Sequence, residues 1–294
     1  MHKTVFLTTG VDFLQVQKDG FYLDGTFGAG GHTGEILRRG GRVLALDYDE
    51  QSVERGREAF AASLATGQLQ LQNANFAYLD RLVQALPNFS GFNGIILDLG
   101  TSTDQLMSSS HGLSVYTNGP LDMRLDKNLG VTAHDLLQAL SERELIALFE
   151  NYGGETEARR IAREIIRERQ VRGQEAFATS FELANLVSRI KKNRVGKLHP
   201  ATKVFQALRI AVNDELGNLE RVLPQALKNL KVGGRLVVIA FHEVEDRPVK
   251  HAFKDWASDG LVEILTPKPI IPDEKEAENP RARSAKLRVI EKIK

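Results

Sequence analysis

The sequence predicts an α/β fold in which a mainly parallel sheet is covered by helices on both faces and is interrupted by an all-helical insertion. The first hundred residues alternate short apolar runs with helical patterns, in the order βαβαβαβ. After Gly100 only helical patterns follow, and the α/β alternation resumes near Ala201. We therefore expect one discontinuous α/β domain, in parts 1–106 and 201–294, around a helical insertion over 107–200.

Each element follows from a local pattern. The predicted strands of the first part are GFYLDG, RVLALD, LQLQNAN and GIILDLG, and the helices between them are HTGEILRRG, DEQSVERGREAFAASLA and FAYLDRLVQAL. The insertion has helical patterns at ALSERELIALFENYG, EARRIAREIIRERQ and SFELANLVSRIKK. The second part has a long helical region, the strand RLVVIAFH, a helix over VEDRPVKHAFKDW and the strand-like pieces LVEIL and KLRVIEKI. In such sheets ligands bind at the carboxyl ends of the strands, so the loops there should carry the chemistry.

Composition excludes several classes of protein. With 294 residues, 42% of them hydrophobic, the chain can bury a substantial core. The absence of cysteine excludes disulfides, thiolate zinc sites, iron-sulfur clusters and a cysteine nucleophile, and no metal site is predicted. The longest apolar runs are too short to span a bilayer, and the N-terminus lacks a signal-peptide pattern. We expect a cytoplasmic protein without a membrane partner.

Charge is distributed unevenly although the net charge is only +1. Residues 1–104 carry 8 Lys/Arg against 12 Asp/Glu, residues 155–203 carry 12 against 6, and residues 281–294 carry 6 against 1. An acidic front with a basic middle and tail suits a protein that binds a small cation in one place and a polyanion in another. The alternative is a solvated helix face followed by a basic terminus.

The glycine-rich stretch DGTFGAGGHTGEIL, residues 24–37, predicts a nucleotide-binding turn. A Walker A loop is excluded because Gly31 and His32 stand where Lys and Ser/Thr are required. A dinucleotide fingerprint starting at Gly28 has Thr33 in place of its third glycine. The remaining class is S-adenosyl-L-methionine, with Asp24 facing its cationic end and the glycine backbone and following helix receiving its carboxylate.

Further residues at strand ends favour this cofactor. Asp47, which closes RVLALD, can accept hydrogen bonds from both ribose hydroxyls, although this also suits NAD. Phe76 can cover a face of adenine, and Asp98, which ends GIILD, would lie beside the sulfonium. Each acid alone could be a helix cap or a turn carboxylate. Their order at successive strand ends favours the cofactor.

The sequence resembles the RsmH (MraW) family of 16S ribosomal RNA cytosine-N4 methyltransferases over nearly its whole length. The resemblance rests on DGTFGAGGH, LDLGTSTDQL, NGPLDMR, HPATKVFQALRIAVNDEL, FHEVEDRPVK and NPRARSAKLRV. It implies a Rossmann-like, class I S-adenosyl-L-methionine-dependent fold with an inserted substrate domain, one target cytidine in the decoding region of the small ribosomal subunit, and a homodimer. It places cofactor contacts on Gly30, Gly31, His32, Asp47, Phe76, Asp98 and Gln105, beside Asp24 and Gly28 from the glycine loop.

The sequence departs from the family pattern on the presumed acceptor side. A proline is missing from Thr101–Asp104, two aromatic residues are missing from Gly112–Val115, and AFHEVEDR loses two serines and gains Glu243. These changes leave the cofactor better supported than the target nucleotide. Methylation of another RNA or nucleobase amine is therefore the alternative.

Methylation of cytosine needs groups that help its exocyclic amine, a poor nucleophile because its lone pair is delocalised into the ring. Hydrogen-bond acceptors aimed at the amine free that pair and take up the released proton. Asp98 and Asp122 are the candidate acceptors, and His242 and Asp246 are candidates for orienting the substrate. His242 could equally be a buried, hydrogen-bonded histidine, and we expect structural roles for His199 and Asn213.

Basic residues predict where RNA is bound. Arg159, Arg160, Arg163 and Arg167 recur along one stripe of the second inserted helix, although a salt-bridged surface helix explains part of this pattern. The tail concentrates basic residues with few compensating acids, although an ordinary edge strand would also alternate Lys286 and Arg288 with apolar residues. The predicted RNA contacts are Arg124, Arg159, Arg163, Asp246, Arg281, Arg283 and Lys286.

Two hypotheses from other classes remain at this point. One is an NAD-linked oxidoreductase on the same sheet, which the displaced third glycine disfavours. The other is a protein that binds S-adenosyl-L-methionine without catalysis, which the altered acceptor loops motivate.

Overall fold

The computed structural model describes residues 4–101, 111–191, 199–273, 276 and 282–294. Residues 1–100 and 216–294 form one compact unit, and residues 101–215 form a second. The first is an α/β unit, and the named elements of the second are helices. We refer to them as the sheet unit and the helical unit.

The sheet has the strand order β3-β2-β1-β4-β5-β7-β6. β7 runs antiparallel to β5 and β6, and the other neighbouring pairs are parallel. This arrangement confirms the predicted α/β class, and the two strand-like pieces at the end of the chain form the antiparallel pair β6 and β7. The strands are β1 (Phe21–Asp24), β2 (Arg42–Asp47), β3 (Leu69–Asn73), β4 (Phe92–Asp98), β5 (Leu230–Ala240), β6 (Val262–Ile264) and β7 (Lys286–Lys292).

Most helices follow the predicted patterns, and two described helices are additional: Leu7–Leu14 before the first strand and Ala133–Ala139 in the helical unit. Among the described residues, no helix is both long enough and apolar enough to cross a membrane. In chain order the helices are α1 (Leu7–Leu14), α2 (Gly31–Arg38), α3 (Glu50–Ala59), α4 (Ala61–Ala65), α5 (Leu79–Gln84), α6 (Ala133–Ala139), α7 (Glu142–Gly153), α8 (Ala158–Arg172), α9 (Ser180–Ile190), α10 (Thr202–Val212), α11 (Glu215–Asn229) and α12 (Glu243–Ser258).

Both faces of the sheet are buried. Neighbouring residues of each strand point to opposite faces, so they belong to two different cores. Leu23 and Leu44 belong to a core shared with residues of α5, α11 and α12. Tyr22 and Val43 belong to a second core, shared with residues of α1, α2 and α3. The sheet is therefore covered by helices on both sides, which leaves its edges and the loops between elements to carry polar groups.

The helices of the helical unit begin where the sequence supplies caps. Thr132 caps α6 in a reciprocal pair with Asp135, and Ser141 caps α7 in the same way with Glu144. The side chain of Thr179 accepts a hydrogen bond from the backbone of Glu182 at the start of α9. Each cap satisfies backbone N–H groups that a helix start leaves without a partner.

The helical unit ends further along the chain than the sequence predicted. The expected boundary was residue 200, whereas the compact unit extends to Glu215 and includes α10. α10 packs closely on α7: a side chain at Gly153 would collide with the carbonyl oxygen of Lys203, and the Nζ of Lys203 donates to the carbonyl of Gly154 at 2.7 Å. This close packing makes α10 part of the helical unit.

Candidate active site

Three aspartates lie at one edge of the sheet. β2, β1 and β4 are neighbours, run parallel, and end at Asp47, Asp24 and Asp98. Because the carboxyl ends of parallel strands meet at the same edge, the structure brings together the three acids that the sequence singled out. Thr26, which the sequence analysis missed, connects two of them: its hydroxyl accepts from the backbone N–H of Asp98 at 2.7 Å, and its own N–H donates to Asp24 at 3.1 Å.

Asp24 is fully buried and organises the glycine loop. Besides the N–H of Thr26, its carboxylate accepts from the hydroxyl of Thr33 at 2.7 Å. Burial raises the pKa of Asp24 to about 6, against the hydrogen bonds from Thr33 and Thr26, which lower it. The structure therefore places Asp24 inside the loop. The two threonines of DGTFGAGGHT were the available sequence signal for this network.

Asp47 is buried at the end of the neighbouring strand. Its two oxygens accept from the backbone N–H groups of Gly28, at 2.7 Å, and Asp49, at 2.9 Å. Burial raises its pKa to about 6 because it outweighs these hydrogen bonds. In the described part of the chain, no lysine or arginine nitrogen lies within 4.0 Å of Asp24 or Asp47. The negative charge of both groups is thus held only by neutral donors.

Two glycines assigned to the cofactor are required for packing beneath the loop. A side chain at Gly31 would collide with the side chain of Thr4. Gly30 has φ +78°, and a Cβ there would lie 2.6 Å from the ring of Phe60. By contrast, the nearest atom to a Cβ at Gly28, where φ is +54°, would be 3.9 Å away. Gly28 therefore marks the open side of the loop, and Gly30 and Gly31 keep its backbone in place.

His32 is buried with its ring near α1 and Asp98. Its Nδ1 lies 3.9 Å from an Asp98 carboxylate oxygen, and a Cβ placed on Gly10 would lie 3.7 Å from its Nε2. Burial lowers the pKa of His32 to about 4, although the backbone groups of Phe6 and Val5 favour the charged form. The imidazole is therefore neutral at pH 7. A ligand would reach this residue through its backbone.

Phe76 lies against the glycine loop, and two other predicted residues cannot be placed. Phe76 forms a 3-10 turn after β3, is buried, and its Cβ would lie 3.5 Å from a Cβ placed on Gly25. This places an aromatic side chain beside the loop, and its contact with adenine stays a prediction. Gln105 and Arg281 lie outside the described residues.

His242, a predicted catalytic residue, caps a helix. Its Nδ1 accepts from the backbone N–H of Glu245 at 3.3 Å, and its Nε2 lies 3.2 Å from a carboxylate oxygen of Glu245. The other oxygen of Glu245 accepts from the N–H of Phe241 at 2.9 Å. Through its Nδ1, His242 caps the start of α12. These contacts support the structural interpretation of His242 that the sequence left open.

Asp246 forms a buried ion-pair cluster that changes the interpretation of the basic tail. Arg288 donates to both of its oxygens, at 2.5 and 3.0 Å, and Lys286 donates to Asp246 at 3.1 Å and to Glu243 at 2.6 Å. Burial raises the pKa of Asp246, but the hydrogen bonds from Arg288 and Lys286 hold it below its usual value. The expectation that the tail has few compensating acids is therefore wrong for Lys286 and Arg288. The carboxylate of Asp246, a predicted RNA contact, is instead paired with the side chains of Lys286 and Arg288.

Asp122 and Arg124 pair with each other in the helical unit. Arg124 donates to both Asp122 oxygens, at 2.7 and 2.9 Å, and to the carbonyl of Leu129 at 2.7 Å. Burial raises the pKa of Asp122, but the Arg124 hydrogen bonds leave it below the usual value. A carboxylate with a lowered pKa is a weaker base, and the charge of Arg124 is partly compensated.

Asn213 holds the loop that carries this pair. Its Oδ1 accepts from the N–H of Leu125 at 2.8 Å, and its Nδ2 donates to the carbonyl of Met123 at 2.8 Å. Met123 lies between the paired residues and has φ +63°, a conformation that a non-glycine residue rarely adopts. Asn213 thus stabilises a strained turn, in agreement with the structural role expected from the sequence.

The predicted arginine stripe borders a groove between α8 and α9. The groove has a volume of about 600 Å³. Arg163, Arg167 and Arg189 each lie 3.9 Å from a glutamate, and all three are more than 70% exposed. Arg189 was missed by the sequence analysis, because it comes from the next helix. The lining residues are Arg160, Arg163, Arg167, Arg189, Glu164, Glu168, Val171, Leu186 and Ile190.

Comparison with known proteins assigns this chain to a family. The model of the MraW methylase family matches residues 1–293. The chain belongs to the MraW methylase family. It is 42% identical over 294 residues to "Ribosomal RNA small subunit methyltransferase H" of Crocosphaera subtropica, covering 98% of this chain and 88% of that protein. It is also 42% identical over 311 residues to the protein of the same name from Thermomicrobium roseum, covering 99% and 94%.

A similar solved structure is the rRNA methylase from Streptococcus thermophilus. It aligns with a TM-score of 0.47 at 12% sequence identity, covering 100% of this chain and 99% of that one.

Membership in this methylase family confirms S-adenosyl-L-methionine as the cofactor. The residues at the sheet edge fit it, since Asp24 and Asp47 are buried without a lysine or arginine within 4.0 Å among the described residues. A cationic ligand relieves that uncompensated charge, whereas the pyrophosphate of NAD would be repelled by it. The NAD-linked oxidoreductase is therefore set aside.

The affinity for S-adenosyl-L-methionine should fall as the pH is lowered through about 6. The pKa of Asp24 and Asp47 is raised to about 6, so both are charged at pH 8 and become protonated below pH 6. At pH 5 about one tenth of such a group is ionised, so affinity should be roughly tenfold lower than at pH 8 for each charge that binding requires. Calorimetric titration with S-adenosyl-L-methionine at pH 5 to 8 measures this.

Asp47→Asn is the matched control for this titration. It should bind more weakly at pH 8 and show a flatter pH dependence, because one titrating charge is gone. A wild-type affinity that stays constant from pH 8 to pH 5 would contradict the electrostatic account.

Asp246 should matter for stability, whereas its neighbour Glu243 should not. Asp246→Ala leaves the buried Arg288 without its counter-charge, and the free energy of unfolding should drop by about 3 to 5 kcal/mol. Glu243→Gln removes a carboxylate that is 67% exposed, and the free energy of unfolding should change by at most about 1 kcal/mol. Urea denaturation measures both. Equal losses in the two variants would show that the Asp246 cluster is not a buried ion pair.

Proposed function

We propose that this protein transfers a methyl group from S-adenosyl-L-methionine to N4 of one cytidine in the decoding region of 16S ribosomal RNA, within the small ribosomal subunit. The observation that carries the proposal is the group of strand-end carboxylates Asp47, Asp24 and Asp98, in a chain whose family match spans residues 1–293. The relatives' names, which specify small-subunit ribosomal RNA, support the choice of acceptor.

The residues around the glycine loop hold the cofactor. Asp47 accepts hydrogen bonds from the ribose hydroxyls, since each carboxylate oxygen has a second lone pair beyond the N–H bonds that it already accepts. Phe76 covers the adenine. The backbone at Gly28, Gly30, Gly31 and His32 receives the methionine end, while Asp24 keeps the loop in shape from within and adds negative charge. Gln105 remains a predicted contact.

Asp98 is the catalytic residue in this proposal. The bound cofactor supplies an electrophilic methyl group. Transfer of that methyl group to the cytosine amine would require the amine to lose a proton. Asp98 accepts a hydrogen bond from the amine, which frees the nitrogen lone pair, and then takes up the proton. The N–H of Asp98 donates to Thr26, which fixes the end of β4 relative to the glycine loop.

Asp122 is the second candidate acceptor and is better suited to hold a substrate group than to remove a proton. Its pairing with Arg124 lowers its pKa and keeps it anionic. A permanently charged carboxylate can accept a hydrogen bond from the amine or from a ribose. His242 has an indirect, structural role in this proposal, because it caps the start of α12.

The helical unit and the tail bind the RNA. Arg159 and Arg163 lie on α8, and both are exposed. Arg163 also lines the groove between α8 and α9, together with Arg167 and Arg189. Phosphate contacts of this kind fix the position of RNA and offset the cost of drawing a base out of its stack, a few kcal/mol. The remaining predicted RNA contacts are Arg124, Arg281, Arg283 and Lys286. Asp246 fixes the position of Lys286 through their ion pair.

The direct test is methylation of small ribosomal subunits from cells that lack the modification. The protein and tritiated S-adenosyl-L-methionine are incubated with these subunits, and the RNA is digested to nucleosides for mass spectrometry. Label in N4-methylcytidine at one site is the expected result. Label in another nucleoside would contradict the cytidine assignment, and no label in RNA would contradict the proposed function.

Asp98→Asn should lower methyl transfer in this assay by about 100-fold to 10,000-fold, because it removes the group that takes up the proton. Binding of S-adenosyl-L-methionine should weaken much less. Single-turnover rates and calorimetry separate the two effects, and Asp122→Asn provides the comparison. Unchanged turnover in Asp98→Asn would remove this residue from catalysis.

The double variant Arg163→Ala, Arg167→Ala should bind subunit RNA more weakly and with a smaller salt dependence. Each lost phosphate contact should reduce the slope of log K against log salt concentration by about 0.7 to 0.9. Arg38→Ala, which removes a similarly exposed arginine of the sheet unit, is the control. An unchanged slope in the double variant would show that the two arginines form only surface ion pairs.

A further inference from the structure

The helical unit presents an exposed aromatic ring on a fixed loop. Tyr116 is 65% exposed, whereas Leu113 and Ser114 just before it are buried. It is the most exposed aromatic side chain among the described residues. Most apolar residues at a surface occur singly and need no explanation. Tyr116 differs because its loop is anchored on both sides and because a second ring lies against it.

The backbone around Tyr116 is held by a buried serine and a required glycine. Its own N–H donates to the hydroxyl of Ser114 at 3.1 Å. The hydroxyl of Ser180, at the start of α9, donates to the carbonyl of Thr117 at 2.9 Å, and the N–H of Ser180 donates to the carbonyl of Gly119 at 2.9 Å. A side chain at Gly112 would collide with the carbonyl oxygen of Pro120. The ring therefore projects from a loop whose conformation is fixed by packing.

The second ring belongs to His199. The two rings have centroids 5.8 Å apart and an interplanar angle of 77°, an edge-to-face arrangement. His199 is fixed in turn, because its Nδ1 accepts from the N–H of Ala201 at 3.2 Å and its carbonyl accepts from the hydroxyl of Thr202 at 2.8 Å. Tyr116 and His199 thus form a corner of two nearly perpendicular aromatic surfaces.

We propose that Tyr116, supported by His199, is a stacking site for an unpaired base of the RNA substrate. This inference rests on the proposed function for the class of substrate. Single-stranded RNA is recognised largely by stacking of splayed bases on exposed aromatic rings, and such stacking does not depend on base identity. A ring that is already fixed loses little conformational freedom when a base stacks on it. The exposed, anchored ring is what such a site requires.

The test compares Tyr116→Ala with Tyr116→Phe on unmodified small subunits. Loss of the ring should lower kcat/KM about 5-fold to 150-fold, the range found when a stacking aromatic is replaced by alanine. Tyr116→Phe keeps the ring face and should stay within about twofold of the wild type. Tyr78→Ala, which removes a tyrosine that is 58% exposed in the sheet unit, is the matched control and should have no effect. Thermal unfolding checks that all three variants are folded.

A binding assay separates failure of this inference from failure of the proposed function. The probe is a single-stranded oligoribonucleotide carrying 2-aminopurine, whose fluorescence is quenched on stacking. Quenching by the wild type and Tyr116→Phe, but not by Tyr116→Ala, supports the stacking site even if no methyl is transferred to subunits. Equal quenching by wild type and Tyr116→Ala, or no quenching by the wild type, would overturn it. So would methyl transfer by Tyr116→Ala at the wild-type rate.

Discussion

The burial of Asp24 and Asp47 at one sheet edge is the constraint on which the rest of the site depends. Their charge is held by hydroxyl and backbone donors, those of Thr33, Thr26, Gly28 and Asp49. Because burial raises both pKa values from 3.8 to about 6, the free energy of unfolding of the ligand-free protein falls as the pH rises from about 4 to about 6, where both groups become ionised. A cationic ligand offsets that cost. A positively charged partner therefore stabilises the glycine loop when both aspartates are ionised.

The order of acids at the strand ends could be predicted because it is a local property. An apolar run followed by an acid indicates a strand end, and parallel pairing gathers those ends. Pairings between distant segments could not be predicted. Lys286 was expected to be uncompensated because the tail itself has few acids, yet β7 places it opposite Ala240, next to the start of α12. Its partners Glu243 and Asp246 lie about 40 residues earlier in the chain.

The bounds of the helical unit show a similar limit. α10 buries residues around much of its circumference, including Val204, Phe205, Leu208 and Ile210. An apolar pattern of that kind indicates a helix within a core but not which core. The close contact between Gly153 and Lys203 assigns α10 to the helical unit. Gly153 lies 50 residues before Lys203, and one glycine at that distance is a weak signal in a single sequence. Arg189 was missed for the same reason, since its groove forms only when α9 packs beside α8.

The distribution of charge between the units follows from the two kinds of ligand. Buried carboxylates that attract a sulfonium repel a phosphate backbone, so phosphates have to be bound by other parts of the chain. In the proposed function, the exposed arginines of α8 and α9 meet this requirement, and three of them lie as far as 3.9 Å from their glutamate partners. A nucleobase amine is uncharged and suffers no such repulsion. In the proposed function, a base drawn out of its strand is methylated while its phosphates are bound by arginines elsewhere in the chain, so base extrusion and separate phosphate binding belong to one mechanism.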